Sequence, residues 1–277
     1  MDNFILKIDC EDAKGLIYKI SDVLYQSDLN IVKNDEFVDT ENSRFFFRAI
    51  VNGGVEKNDL IKKLKEYMPK NANIELTQKR RKKIIIMATK ESHCLGDLLL
   101  KEYSDDLNAE IVAVVSNYDY LKELVNKFDI PFHFVCHEGL SRDEHEKQVI
   151  EVLQNYECDY IVLAKYMRIL SSDFVKYYDG KMVNIHHSFL PAFIGANPYK
   201  QAFNRGVKTI GATAHFVTND LDEGPIIAQD VINVTHEFSW RDMQKAGKNV
   251  EKVVLSNALD LVLEDRVFIS QNKTVIF

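Results

Sequence analysis

Lys79-Arg80-Arg81-Lys82-Lys83-Ile84-Ile85-Ile86-Met87-Ala88 is where the chain changes character. Five consecutive cations repel one another and resist burial, so they read as a solvated linker. The apolar run that follows is short enough for a strand and too continuous for a half-exposed one. From here on, strand and helix signals alternate. Apolar runs at 84–88, 110–115, 132–135, 160–164 and 182–186 are separated by helical stretches near 93–104, 119–128, 143–156 and 171–178. Repeated βα units with strands buried on both faces predict a doubly wound, mostly parallel, Rossmann-like sheet covered by helices. Strands at 209–218 and 225–234, a long helix at 239–264 and a closing hairpin from 266–270 and 274–277 complete the pattern.

Upstream of the linker the order is different. A strand at 4–8 leads to a helix at 15–25, where Leu16, Ile20, Val23 and Leu24 recur at helical spacing. Strands at 30–37 and 44–51, a helix at 59–67 and a strand at 72–77 follow, giving βαββαβ, a ferredoxin-like unit. Phe45, Phe46 and Phe47 read as core or dimer surface, not as a ligand box. The expected class is therefore α/β, with one domain over 1–81 and a second over 82–277.

With 46% hydrophobic and 28% charged residues among 277, there is ample material for two cores. A net charge of −7 argues against a nucleic-acid binder, because phosphate contacts need a basic surface. Cys10, Cys94, Cys136 and Cys158 form no CxxC pair and suit reduced thiols in a cytosol. The start, Met1 to Lys7, lacks the basic-then-apolar pattern of a signal peptide, and no apolar run approaches the ~20 residues that span a bilayer. The expectation is a cytoplasmic protein with no nucleic-acid or membrane partner.

Several engines are missing. The turn after 84–88 reads Lys90-Glu91-Ser92-His93-Cys94-Leu95-Gly96, without the glycines that cradle a pyrophosphate, and P-loop, GxSxG and HExxH patterns are absent. What remains is Asn184-Ile185-His186-His187-Ser188-Phe189-Leu190-Pro191 at a strand's carboxyl end, where open α/β sheets bind ligands. Strand parity places Asn184 and His186 on one side and sends His187 elsewhere. A second segment, Gly211 to Pro225, runs from a strand into an acidic turn that brings Asp222 and is terminated by Gly224 and Pro225. An amide, an imidazole and a carboxylate together can hold a carbonyl, move a proton and orient a water. His186, His187, His215 and Asp222 are ligand types for a metal site, but neighbouring strand histidines point apart and make poor co-ligands, so no metal is expected.

On these two segments the chain resembles the folate-dependent formyltransferase family. The longer stretch NIHHSFLPAFIGANPYKQAFNRGVKTIGATAHFV…LDEGPII is similar to the hydrolytic branch of that family, the formyltetrahydrofolate deformylases. The N-terminal unit, with Asp12-Ala13-Lys14-Gly15-Leu16 in its first turn, resembles an ACT domain. The resemblance spans essentially the whole chain and implies a regulatory ACT-like domain followed by a formyltransferase-type catalytic domain. It implies Asn184, His186 and Asp222 as catalytic positions. Met167, Arg168, Ile169 and Leu170 would line a pterin pocket, with His215, Val217, Asn219, Asp220 and Leu221 also binding substrate. His187 stands as a candidate second acid–base group or a packing residue; Arg168 is a candidate grip on the folate's glutamate tail, although the resemblance implies that its segment serves largely through its backbone. No cofactor is expected, because 10-formyltetrahydrofolate is the substrate.

Formyl-transferring members share a glycine-rich phosphate turn after the first strand. Here Glu91 puts bulk and negative charge in its place, which disfavours a phosphorylated acceptor and leaves water as nucleophile. The expected reaction is hydrolysis to tetrahydrofolate and formate, supplying formate for purine biosynthesis and balancing one-carbon pools. The competing reading is formyl transfer to an amine such as a glycinamide ribonucleotide. Amino-acid effectors at the ACT-like domain and a homodimer or homotetramer are implied by the same resemblance.

Overall fold

β-Strands that alternate in part, with one buried on both faces, build the first unit. The computed structural model describes residues 3–54, 56–192 and 197–277; Met1 and Asp2 of the N-terminal stretch and Phe193 to Ala196 of the family-like stretch lie outside the described residues. β1 (Asn3–Glu11), α1 (Leu16–Gln26), β2 (Asn30–Asp39), β3 (Arg44–Asn52), α2 (Lys57–Tyr67) and β4 (Asn73–Gln78) form an antiparallel sheet in the order β2-β3-β1-β4. Leu16, Ile20 and Leu24 of α1 and Leu60 and Leu64 of α2 pack on one face, against Leu6, Ile8, Phe45 and Phe47. The rings of Phe45 and Phe47 lie stacked 6.3 Å apart inside that core. Gly15 caps α1 at φ 84°, a conformation that costs a side-chain-bearing residue more.

Phe46 points to the sheet's other face, and the far end of the chain covers it. Asp265–Phe268 and Val275–Phe277 cluster with Met1–Arg80, while Arg81–Glu264 and Ile269–Thr274 form the second unit. Arg48 Nε donates to the Asp265 carbonyl at 3.0 Å, Lys7 Nζ to the Val267 carbonyl at 2.9 Å, and Phe268 meets Phe46 edge-on at 5.6 Å. The sequence pattern assigns everything from residue 82 onward to one domain. Hydrophobic periodicity carries no record of which sheet a terminal strand covers.

The second unit holds a seven-stranded sheet in the order β11-β10-β9-β8-β5-β6-β7. β5 (Lys82–Ala88), β6 (Ala109–Ser116), β7 (Phe132–Phe134), β8 (Tyr160–Leu163) and β9 (Met182–His186) run parallel. β10 (Thr209–Phe216) and β11 (Ile226–Asn233) are antiparallel additions on the β9 edge. The intervening helices are α3 (His93–Tyr103), α4 (Lys122–Asn126), α5 (Arg142–Leu153), α6 (Ser172–Tyr177), α7 (Pro198–Arg205) and α8 (Trp240–Leu263). β12 (Val267–Ser270) and β13 (Lys273–Ile276) make the terminal hairpin.

Because β5 lies between β6 and β8, the chain winds one way to β7 and then crosses to β8. Such a reversal opens a crevice at the carboxyl ends of the strands. Thr89 Oγ1, just beyond β5, donates to the Lys165 carbonyl just beyond β8 at 2.8 Å and ties the two ends together. Sequence patterning left α7 unassigned, although its signals are present: Pro198 opens it and Gly206 closes it at φ 68°. No helix among the described residues is long and apolar enough to cross a membrane.

Candidate active site

Three chain segments converge at that crevice: the turn after β8, the end of β9 and the turn between β10 and β11. They enclose a cavity of about 350 Å³. All the sequence-derived positions line it: Asn184, His186, His187, His215 and Asp222, the segment Met167, Arg168, Ile169 and Leu170, and Val217, Asn219, Asp220 and Leu221. Met167, Ile169 and Leu221 are more than half exposed and form its apolar rim.

Strand register explains how the polar groups meet. β10 lies antiparallel to β9 with His215 directly opposite Asn184 and Thr213 opposite His186. Cross-strand neighbours stand close enough for side-chain contact, and Asn184 Nδ2 lies 3.1 Å from His215 Nε2. The other ring nitrogen of His215 is 2.8 Å from the Phe216 carbonyl, which can only accept. Nδ1 therefore carries the proton, and Nε2 of the neutral ring accepts from Asn184. The amide is thereby turned so that a second N–H remains for the cavity. Thr213, fully buried, accepts from Leu190 N at 3.0 Å and donates to the Ser188 carbonyl at 2.9 Å, pinning the loop after β9.

Asp222 reaches the same point from the turn, in a left-handed conformation at φ 57°. Its Oδ2 is 3.2 Å from His186 Nδ1 and its Oδ1 3.7 Å from His215 Nε2. Burial pulls this carboxyl upward, but the hydrogen bond and charge of the His186 imidazole beside it outweigh that and hold the group well below the usual carboxylate range. His186 is buried, and its Nε2 has no partner among the described residues. One face of the imidazole is thus held by a permanent anion, while the other nitrogen is left for a ligand.

The expectation that parity sends His187 elsewhere is corrected. Its ring lies 5.2 Å from that of His186 and lines the same cavity. β9 ends at His186, so the pleat no longer alternates at the next residue. Burial, followed by the nearby Lys165 charge, lowers the His187 imidazole to about 4, so it is neutral near pH 7.

Lys165, which sequence reasoning passed over, is buried at φ 64°, an unusual conformation for a long side chain. Together with Met167 and His187 it also lines a second cavity of about 430 Å³. At its floor Glu251 of α8, 1% exposed, is held by Lys165 Nζ at 3.1 Å, His93 Nε2 at 2.8 Å and the Tyr199 hydroxyl at 2.6 Å. One signal for Glu251 was in the sequence: a carboxylate among Val250, Val254 and Leu255, on the helix face that is buried. Gly247 is dictated by the same packing, since a Cβ there would overlap the Tyr199 ring. His93, Cys94 and Glu251 bring ligand-type atoms within 4.8 Å of one another. Burial pushes the Cys94 thiol far up and Lys165 already neutralises Glu251, so the cluster fits an ion pair better than a metal.

Glu251 yields a pH-dependent prediction. Burial raises its carboxyl, but His93, Lys165 and Tyr199 bring it down to about 2, below its unfolded value of 4.5. Its stabilisation is complete above about pH 4.5 and is lost as pH falls toward 2. At ~1.4 kcal/mol per unit, the contribution is on the order of 3 kcal/mol. The melting temperature of the native chain should therefore drop more steeply between about pH 6 and pH 3 than that of Glu251→Gln. Equal slopes would sink this account.

The comparisons with known proteins agree with the geometry. Residues 82–259 match the formyl transferase family model. The formyltetrahydrofolate deformylase of Haemophilus influenzae is 54% identical over 272 residues, covering 98% of each chain. The crystal structure of a formyltetrahydrofolate deformylase from Pseudomonas syringae pv. tomato superposes with a TM-score of 0.95 at 38% identity, covering 100% of this chain and 95% of that one. A glycinamide ribonucleotide transformylase from Symbiobacterium toebii superposes at a TM-score of 0.68 with 28% identity, over 71% of this chain and 94% of its own. The transformylase thus lacks a counterpart for over a quarter of this chain, whereas the deformylases match it end to end: the chain belongs to the formyltetrahydrofolate deformylase family.

Proposed function

We propose that the chain hydrolyses 10-formyltetrahydrofolate to tetrahydrofolate and formate, with side chains and water alone carrying the step. Full-length similarity to deformylases supports the reaction. The observation that carries the mechanism is the His186 imidazole, bonded through Nδ1 to Asp222 with Nε2 facing the cavity beside Asn184.

The pterin occupies the apolar cavity against Met167, Ile169 and Leu170, with Arg168 placed for the glutamate tail. Its formyl group meets Asn184 and His186. As water attacks the formyl carbon, negative charge grows on the formyl oxygen. The free N–H of Asn184 and the Nε2–H of protonated His186 are the donors for that charge. Asp222 sustains the charged imidazole, and its Oδ1 orients the water. The carbon–nitrogen bond then breaks with its electron pair on the folate nitrogen, which takes a proton from His186. One water proton restores His186, and the other leaves as the product ionises to formate. Because Asp222 sits so low, its weight falls on holding His186 and the water, less on acting as a strong base.

Transfer to an amine such as a glycinamide ribonucleotide is the weaker reading. Glu91, bonded to Lys248 at 2.6 Å, puts a paired carboxylate in the turn after β5, in place of the glycine-rich phosphate cradle of the transferring members. The formate released would feed purine biosynthesis, and the protein would work in the cytoplasm. The first unit is assigned an ACT-like regulatory role with amino-acid effectors. Homo-oligomerisation is supported by edge strand β2, which leaves Val32, Phe37 and Val38 exposed.

Incubation of the pure protein with 10-formyltetrahydrofolate and no amine should release formate and tetrahydrofolate in equal amounts. Formate that appears only after an amine is added would establish transfer instead.

A further inference from the structure

The hydrolysis just proposed releases a small anion into a cavity that the folate product still occupies. Formate forms beside the Asp222 carboxylate, with Asp220 on the same wall, while the bulky folate product fills the first cavity. Behind that wall lies the second cavity, separated from the first by a single layer of side chains: Lys165, Met167 and His187 line both. Its charged lining is Lys165, Lys200 and Lys248 against Glu91 and Glu251. With Glu91 paired to Lys248 and Glu251 to Lys165, this lining keeps one more cation than carboxylate and can receive a small monoanion.

Lys165 is built to receive it. An ammonium has three N–H donors, and Glu251 takes one of them at 3.1 Å. Glu251 does not depend on that lysine alone, because His93 bonds its Oε2 at 2.8 Å and Tyr199 its Oε1 at 2.6 Å. Lys165 can turn toward a second anion without leaving a buried carboxylate unpaired, which is the costly outcome. The strained left-handed backbone at Lys165, tied to Thr89, fixes where the ammonium starts.

Resting on the hydrolytic reading, we infer that the second cavity is a site for a small monocarboxylate, the formate product, with Lys165 as its anion-binding group. It is the route by which formate leaves and water enters while the folate is still bound. Formate and folate therefore occupy the protein together.

Initial rates of hydrolysis by the full chain, with sodium formate against a sodium chloride control, test this. Formate should inhibit without competing with 10-formyltetrahydrofolate. Lys165→Met should raise the formate inhibition constant at least tenfold. Glu251→Gln keeps the side chain's size but removes the competing charge, and should lower that constant severalfold. A structural role alone would not move the two variants in opposite directions. Should either variant be too slow to assay, carbon-13 formate binding to the folded variant with tetrahydrofolate present is read by saturation-transfer NMR. Formate that competes with the folate, or constants unchanged or shifted the same way in both variants, overturns the inference. A native chain that releases no formate without amine overturns the hydrolytic reading itself, a separately visible failure.

Discussion

Asp222→Asn should lower kcat for 10-formyltetrahydrofolate hydrolysis by about 10³- to 10⁴-fold while leaving folate affinity nearly unchanged. The substitution keeps size and hydrogen-bonding shape but removes the charge that sits 3.2 Å from His186 Nδ1. Without it the protonated imidazole loses its buried counter-ion, and the cavity loses a donor for the developing oxyanion. Positioned acid–base groups are worth about 10²–10⁴ in rate, and a single oxyanion donor about 10²–10³. The pterin is held mainly by the apolar rim, which Asp222 does not build, so the loss should fall on kcat with KM little changed. Steady-state kinetics with a fluorescence titration of the folate would separate the two terms. Turnover near the native rate would remove Asp222 from the mechanism.

Gly224→Ala should also be damaging, although residue 224 lines neither cavity. A Cβ at Gly224 would overlap the carbonyl oxygen of Phe216, a backbone atom that cannot rotate aside. The clash lies at the neck of the turn, where Phe216 N donates to the Pro225 carbonyl at 2.9 Å, next to the register shift of β10 against β11. Relief requires the two strand ends to part, and the turn that carries Asp222 moves with them. A misplacement of about 1 Å at a reacting group costs on the order of 10²-fold, and forced backbone shifts cost about 1–3 kcal/mol of stability. The expected result is a kcat/KM reduced about 100-fold with a lower melting temperature, the activity deficit persisting well below that temperature. An alanine variant with native kcat/KM would show that the neck tolerates widening and that Asp222 is placed by other contacts.

Much of the fold was legible because burial leaves a periodic mark. The continuous apolar runs of β5, β6 and β8 and the partial alternation of the strand that opens the first unit reflect how many faces each strand buries. The same reading missed α7, whose short span offers two turns of pattern, and could not foresee that Asp265–Phe268 would cover Phe46. The three polar positions of the site were legible because an amide, an imidazole and a carboxylate stand out against apolar strand ends. His187 was misplaced because parity holds only while the pleat lasts, and β9 stops one residue before it.

By itself, then, the sequence determined the two-part α/β architecture, the segments that carry Asn184, His186 and Asp222, and the membership of a formyl-handling family. Only the tertiary structure decided how those groups face one another: His215 fixing the Asn184 amide across the β9–β10 ladder, and Asp222 bound to one nitrogen of His186 with the other left open. It also decided that Lys165 and Glu251, 86 residues apart, form one buried pair behind the site. The physical reason is one of range. Periodicity and turn chemistry act over a few neighbouring residues, whereas hydrogen-bond geometry and charge pairing depend on which strands and helices the sheet brings together.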